Sequence, residues 1–536
     1  VGDPKYFIGV DVGTASARAG VFDGLGNCLG TGKRDIQVFR DARTMVEQSS
    51  SEIWQAVSTA VRSSVEIAGI LPRHVVGIGF DATCSLVVLG KGGASLAVGP
   101  SEVNERDIIL WMDHRAVDQA ERINAQGHGM LRYVGGRISP EMETPKLLWL
   151  KENRPEIFAA AWQFFDLADF LTWKATGSLA RSTCTVTCKW TYLAHEQRWD
   201  PTYFRQIGLG ELADENFSRI GQTIVEPGIA LGNGLSAGAA DDLGLEAGTA
   251  VSAGMIDAHA GGLGTVGIGG NPENSLGYVF GTSSCTLTST AKPKFVPGVW
   301  GPFYSAMVPG LWLNEGGQSA AGAAIDQLVS FHPAFAQARE RARTLDMSLP
   351  RMLADLAVSK QSSISHAVSL AKGLHVVPEF LGNRAPFADP AARAAIVGLG
   401  MERDLDSLVA LYVAGLCGIG YGLRQIIEAQ AAAGAPVQQI VISGGAGRHD
   451  LTRHILSDTS GVPVIAPETS EPVLLGAALL GATACRAFPD LKEAMKAMSK
   501  AGNVYEPASG DIRTIHNSRY EAFCAIQTQA RTVRRI

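Results

Sequence analysis

The chain has 536 residues, too many for one hydrophobic core; domains of about 100–200 residues would allow about three. With 46% hydrophobic residues, 18% charged residues and 61 glycines, it reads as a soluble, well-packed α/β protein and not a disordered one. The 46 Lys and Arg against 52 Asp and Glu leave a net charge of −6 with no long basic run, which argues against a nucleic-acid partner.

An aromatic-aliphatic run, Tyr6-Phe-Ile-Gly-Val10, opens the chain as a strand and carries no charged-then-apolar signal segment. The phrase Asp11-Val-Gly13-Thr14-Ala-Ser16-Ala-Arg18 follows and leads into a second β-prone stretch. A tight hairpin of this kind presents backbone N–H groups and hydroxyls where no side chain blocks approach, a concave donor set suited to phosphate oxygens. Thr14 and Ser16 can donate, Arg18 adds charge, and Asp11 at the strand end offers a carboxylate to Mg²⁺ directly or through water. Helical periodicity begins near Glu52, with Ser49 to Ser51 as N-cap choices. Residues 75–80 form an unbroken apolar run ending at Asp81, the pattern of a buried parallel strand whose C-terminal end gathers ligands. Residues 145–153 read as a helix. Cys184 and Cys188 are the nearest pair among eight scattered cysteines and lack a second metal-ligand pair, so a zinc site is not expected. Free thiols in a large chain fit a reducing, cytoplasmic setting.

The apolar run 249–253 leads to Gly254-Met-Ile-Asp257-Ala-His259, which aims an acid, Asp257, at an interdomain cleft. Phosphoryl transfer to an alcohol needs a group that accepts the hydroxyl proton, and an aspartate fills that role. His259 reads as a hydrogen-bonded structural histidine. The Gly/Ala-rich stretch 254–270 is the expected junction between an N-terminal domain, 1–266, and a C-terminal domain, 267–536. Within it Gly262-Leu-Gly264-Thr-Val-Gly267 imitates a dinucleotide fingerprint, but no apolar strand precedes it and no acid follows about 20 residues on. It reads as packing or hinge, and a nicotinamide oxidoreductase is the weaker alternative. Nor does the sequence hold a Gly-x4-Gly-Lys-Ser/Thr motif, which disfavours a P-loop kinase.

After the junction the opening pattern returns. Gly281-Thr282-Ser283-Ser284-Cys285 repeats the Gly-Thr-x-Ser core between two β-prone stretches, so one nucleotide would be gripped from both sides. A long helix is expected over 405–433, then a buried strand over 437–442 closed by Ser443-Gly444-Gly445-Ala446-Gly447 before a helix at 451–458. Small residues there let a flat ring or phosphate approach the backbone. The Ala/Gly-rich run 472–485 is shorter than the roughly 20 residues that span a bilayer and reads as a buried helix, with no membrane partner expected. Arg531, Arg534 and Arg535 read as a solvated tail.

These pieces resemble the FGGY carbohydrate kinase family over nearly the whole chain. Asp11-x-Gly-Thr-x-Ser-x-Arg18, Gly281-Thr-Ser283 and Gly444-Gly445-Ala446 are similar to its two phosphate segments and its adenosine segment, with Ser443 where the family often has a further glycine. Pro145-Lys146-Leu-Leu-Trp-Leu and Gly398-Leu-x-x-Glu-Arg-Asp-Leu405 resemble its signature regions. The resemblance implies two ribonuclease-H-like α/β domains related by duplication, the architecture of actin, hexokinase and Hsp70, with ATP and Mg²⁺ in the cleft. It places Asp257 as the catalytic base and as a possible partner, with Asp11, of the metal. Gly-x-x-Asp-Ala-His with Asn314-Glu315-Gly-Gly-Gln318 is closer to ribulokinases than to glycerol or xylulose kinases, and Asp81-Ala-Thr83-Cys84-Ser85-Leu-Val87 resembles the phrase of the D-ribulokinase subgroup. By that similarity Thr83, Cys84, Lys189, Asp257 and Glu315 would meet the sugar. Asp113, in Trp111-Met-Asp113-His114-Arg115, would join them. D-ribulose is the expected acceptor, with L-ribulose, xylulose or ribitol as alternatives and a homodimer as a common assembly among similar kinases. A chaperone-like ATPase on the same fold would need the phosphate hairpins but no sugar set.

Overall fold

The computed structural model describes residues 4–41, 44–268 and 270–534. Its first sheet is built on the hairpin Tyr6–Val12 and Ser16–Phe22, extended antiparallel by Cys28–Asp35. Val75–Ala82 joins parallel to Tyr6–Val12 on the other side, and Ala250–Val251 follows it. Between the third and fourth of these strands lies the helix Ser50–Ala68, capped by Ser49, whose side chain accepts from the Glu52 N–H. The strand Val75–Ala82 is buried almost throughout because both sheet faces are covered, so its sequence is a continuous apolar run and not an alternating one.

The second sheet repeats this order strand for strand. Ser275–Phe280 and Ser284–Thr290 form the hairpin, Trp312–Gln318 extends it antiparallel, and Gln439–Ser443 then Val464–Pro467 add parallel strands on the far side. Two copies of one mixed sheet with the same connections are the duplicated ribonuclease-H-like architecture of actin and hexokinase. The long helix Leu405–Ala432 crosses over between the third and fourth strands of this sheet, as Ser50–Ala68 does in the first. It is long and apolar enough to cross a membrane, yet 72% of its apolar window is buried inside the fold, as in a core helix.

The halves are joined by exchange of helices. Asp257–Val266 packs on the second sheet, whereas Pro472–Ala484, which closes the second half, lies on the first sheet. Close approach is possible because the contacts are made of glycine. A Cβ at Gly9, Gly77 or Gly79 would fall 1.9, 2.2 or 2.0 Å from a carbonyl oxygen of Pro472–Ala484. The two helices also meet each other, where a Cβ at Gly264 would fall 2.1 Å from the Pro472 oxygen. The segment that imitates a dinucleotide fingerprint is therefore helix-packing surface. Arg531 and Arg534 are not a free tail either. They end the helix Gly510–Arg534 in ion pairs with Glu379 and Asp389, and Arg535 lies outside the described residues.

Candidate active site

Strand register assembles the floor of the site. Asp11 is paired with Asp81 across parallel strands, and Asp81 is paired in turn with Met255, two residues before Asp257. Asp81 is fully buried, and neither of its oxygens accepts a hydrogen bond among the described residues. Burial first, then the charges of Asp11 and Asp257, hold its carboxyl well above the ordinary range. Burial and the Asp257 charge likewise push Asp11 up to about 6. A buried carboxylate without donors, as Asp81 is, is costly unless a cation or a proton joins it, so the oxygens of Asp81 and Asp11, with Asp257 near enough to raise both, fit Mg²⁺. Arg18 is held by Asp11 at 3.9 Å and by Glu471, which ties the first hairpin to the approach of Pro472–Ala484.

The two Gly-Thr turns are built alike. Gly13 N–H donates to the Ser16 oxygen at 3.0 Å, and Gly281 N–H to the Ser283 oxygen at 2.9 Å, so the second turn is one residue tighter. Above both glycines the space is open, with no atom outside the turn itself near a would-be Cβ. Thr14 Oγ1 accepts from the Trp111 indole N–H at 3.0 Å. Thr282 is exposed, while Ser284, the strand-opening counterpart of Ser16, is buried and donates to Gln318 at 3.0 Å. The Thr282 carbonyl accepts from Ala321 and Ala323, and that of Gly281 from Gly322, which fastens the turn to the start of the helix Gly322–Ser330. Beside it lies a cavity of about 600 Å³ lined by Phe280, Gly322, Tyr412, Leu416, Gly445 and Ala446. Gly444, just before the lining residues Gly445 and Ala446, has φ +94°, and a Cβ there would stand 2.3 Å from the Phe280 oxygen. The lining also carries Asp326, Arg351, Asp355 and Arg448, and a cavity with aromatic and polar walls whose mouth adjoins a phosphate-type turn can take a purine nucleoside.

The third face is polar and buried. Glu315 lies in Trp312–Gln318, in register with Trp300, and Lys189 at the end of the helix Thr183–Lys189 places its Nζ 4.8 Å from the centre of the Trp300 ring. Lys189 is buried and Glu315 only 11% exposed, so neither belongs to a surface ion pair, and each meets the other half from inside, Lys189 at Trp300 and Glu315 at His259. Burial works against the ammonium, but Cys84 and Glu315 hold Lys189 above its ordinary value. Burial would raise Glu315, yet Lys189 and a 3.0 Å hydrogen bond from His259 Nε2 hold it down at about 2. Asp257 begins its helix, accepts from the Ala258 N–H at 2.7 Å, and is raised by burial above the ordinary aspartate value. Thr83 and Cys84 follow directly on Val75–Ala82, with Thr83 bonded to Ser85 at 3.0 Å.

Asp113 behaves differently from the expectation. It is fully buried and wholly engaged, accepting from the Val46 N–H at 2.6 Å and from Arg115 at 2.8 and 2.9 Å. Arg115 in turn donates to the buried Glu47 at 2.9 Å. The Trp-x-Asp-x-Arg segment holds its own loop together, and Asp113 has no oxygen left for a sugar. Three residues with no site role assigned from the sequence stand in the site instead. Asp81 was signalled by its place at the end of an apolar strand. Trp300 opens the short strand Trp300–Tyr304, and Arg384, whose guanidinium lies 6.0 Å from the Trp300 ring, sits in an irregular segment where no periodicity marks it.

A duplicated fold with a phosphate-type turn on each half and a buried polar acceptor site between them defines a phosphotransferase acting on a small polyhydroxyl molecule. The chain matches the FGGY family of carbohydrate kinases, N-terminal domain, over residues 6–264 and C-terminal domain over 276–485, and it belongs to that family. It is 44% identical to the human FGGY carbohydrate kinase domain-containing protein, over 97% of this chain and 95% of that one. It is 39% identical to a D-ribulokinase of Saccharomyces cerevisiae, over 92% of this chain and 73% of the yeast one. Among solved structures, a xylulose kinase from Rhodospirillum rubrum superposes with a TM-score of 0.81 at 21% identity, each chain covered to 99%. The protein is a carbohydrate kinase.

Proposed function

We propose that the chain transfers the γ-phosphoryl group of ATP to the terminal hydroxyl of D-ribulose, with Asp257 as base. The observation that carries the choice of sugar is the identity with the yeast D-ribulokinase along most of this chain. The buried set of Thr83, Cys84, Lys189, Asp257 and Glu315 supports it. In this reading Lys189 and Glu315 pair with sugar hydroxyls, and an isomer that leaves either unpaired pays for a stranded buried charge. The adenosine lies in the cavity against Gly444, Gly445 and Ala446. Gly13, Thr14 and Ser16 meet the phosphates from one half, and Gly281, Thr282 and Ser283 from the other.

Asp257 takes the proton of the terminal hydroxyl as its oxygen attacks phosphorus in line and the bond to the ADP oxygen breaks. Its raised carboxyl is closer to working pH than a free aspartate, which favours proton acceptance. A magnesium ion held by Asp11 and Asp81 would neutralise charge on the phosphates. Arg18, held between Asp11 and Glu471, fixes the first turn against the approach of Pro472–Ala484.

The test is ADP release over D-ribulose, L-ribulose, D- and L-xylulose, ribitol and glycerol. D-ribulose should give the highest kcat/KM, and a flat profile would remove it as the preferred substrate. Asp257→Ala should cut sugar-dependent turnover by about 10²–10⁴-fold while ATP binding survives. Near-normal turnover in that variant would mean that another group is the base.

A further inference from the structure

Cys184 and Cys188 lie four residues apart on the helix Thr183–Lys189, so their thiols share one face. His259, on Asp257–Val266, enters between the halves and points Nδ1 at that face, 3.2 Å from Cys184 Sγ and 4.0 Å from Cys188 Sγ. The three ligand atoms lie within 4.8 Å of one another, and all three residues are buried. A tetrahedral zinc ion with bonds of about 2.3 Å to sulfur and about 2.0 Å to nitrogen separates its ligand atoms by roughly 3.5–3.8 Å. The observed separations bracket that range. A second observation comes from the far side of the ring. His259 Nε2 is bonded to Glu315 Oε2 at 3.0 Å. A carboxylate on the outer nitrogen is how metal-binding imidazoles are oriented and made more basic.

From this geometry we propose that Cys184, Cys188 and His259 bind one thiophilic divalent ion, zinc, which clasps the helix ending in Lys189 to the helix beginning at Asp257. Each coordinating thiol gives up its proton to solvent, and His259 offers the lone pair of Nδ1 while its Nε2–H donates to Glu315. The two thiolates offset the charge of the ion, so loading adds no net charge behind the sugar site. Entry is from the cleft, where Glu315, 11% exposed, covers the ring. The pair missed a zinc assignment in sequence because its third ligand lies 71 residues further on from Cys188.

The experiment is a titration of the full-length, chelator-treated protein with Co²⁺ under a phosphine reductant. The wild type should take up one equivalent with a sulfur-to-cobalt charge-transfer band and tetrahedral d–d bands, both abolished by Zn²⁺. Cys184→Ser and Cys188→Ser should each weaken binding by about 100-fold or more, whereas Cys285→Ser should leave it intact. Glu315→Gln should weaken zinc binding by about 10–100-fold through the ring. Zinc should also raise the melting temperature of the wild type and not of Cys188→Ser, which reports whether that variant is folded. Absence of the charge-transfer band in the wild type would overturn the site. So would a folded Cys188→Ser protein that still binds one equivalent tightly.

Discussion

Glu315 and His259 form a buried pair whose two members are shifted in opposite directions. Glu315 titrates at about 2, below its ordinary 4.5, so its contribution to stability is complete above 4.5 and fades as pH falls toward 2. Burial would lower His259, but Cys184 and Glu315 raise it from 6.5 to about 10, so its contribution is complete below 6.5 and lost as pH rises toward 10. In the zinc-free protein the pair should stabilise the fold most between about pH 4.5 and 6.5. Glu315→Gln should cost about 3–5 kcal/mol there and less at pH 10, as read by denaturant melts at both values. Asp81→Asn belongs to the same scale with the opposite sign. It relieves repulsion among three carboxylates, so without divalent cations the variant should melt higher than the wild type at neutral pH while losing most kinase activity. A lower melting temperature would show that the Asp81 charge supports the fold. The sequence made Asp11 and Asp257 visible because each ends an apolar run beside glycine. It hid the engagement of Asp113, since Val46, whose N–H donates to it, and Glu47, which accepts from its neighbour Arg115, lie more than 60 residues away and no spacing rule connects them.

At the scale of elements, the helices Asp257–Val266 and Pro472–Ala484 set the geometry of the floor. Gly476 admits the contact between them, since a Cβ there would fall 1.9 Å from the Ala260 oxygen. Gly476→Val should therefore push the helix bearing Asp257 off its neighbour. The expected cost is about 1–3 kcal/mol or more in stability, with a fall in kcat larger than any change in ATP affinity. Equal loss of both would place the strain elsewhere. Hairpins, strands and the long helix were legible because their period and caps are local signals. The exchange of the two helices was not, because glycine spacing tells that something approaches closely and not what.

The whole molecule is two copies of one topology around a shared floor, with Lys189–Trp300 and His259–Glu315 contacts already crossing between halves. Ligands that touch both halves should draw them together. Small-angle scattering should give a smaller radius of gyration with a non-hydrolysable ATP analogue and D-ribulose together than with either alone. An unchanged radius would mean that the cleft is preset. The duplication was readable from the doubled Gly-Thr-x-Ser phrase, which repeats where the strand order repeats.

The reach of Pro472–Ala484 back to the first sheet also bears on how the chain is made. The strand Val75–Ala82 leaves the ribosome roughly 400 residues before the helix that covers it, a wait of about 20–80 s at ordinary elongation rates. Through that interval the glycine-floored face of the first sheet has no cover from its own chain. The nascent first half therefore bears an apolar sheet face open to misassociation that the finished chain covers.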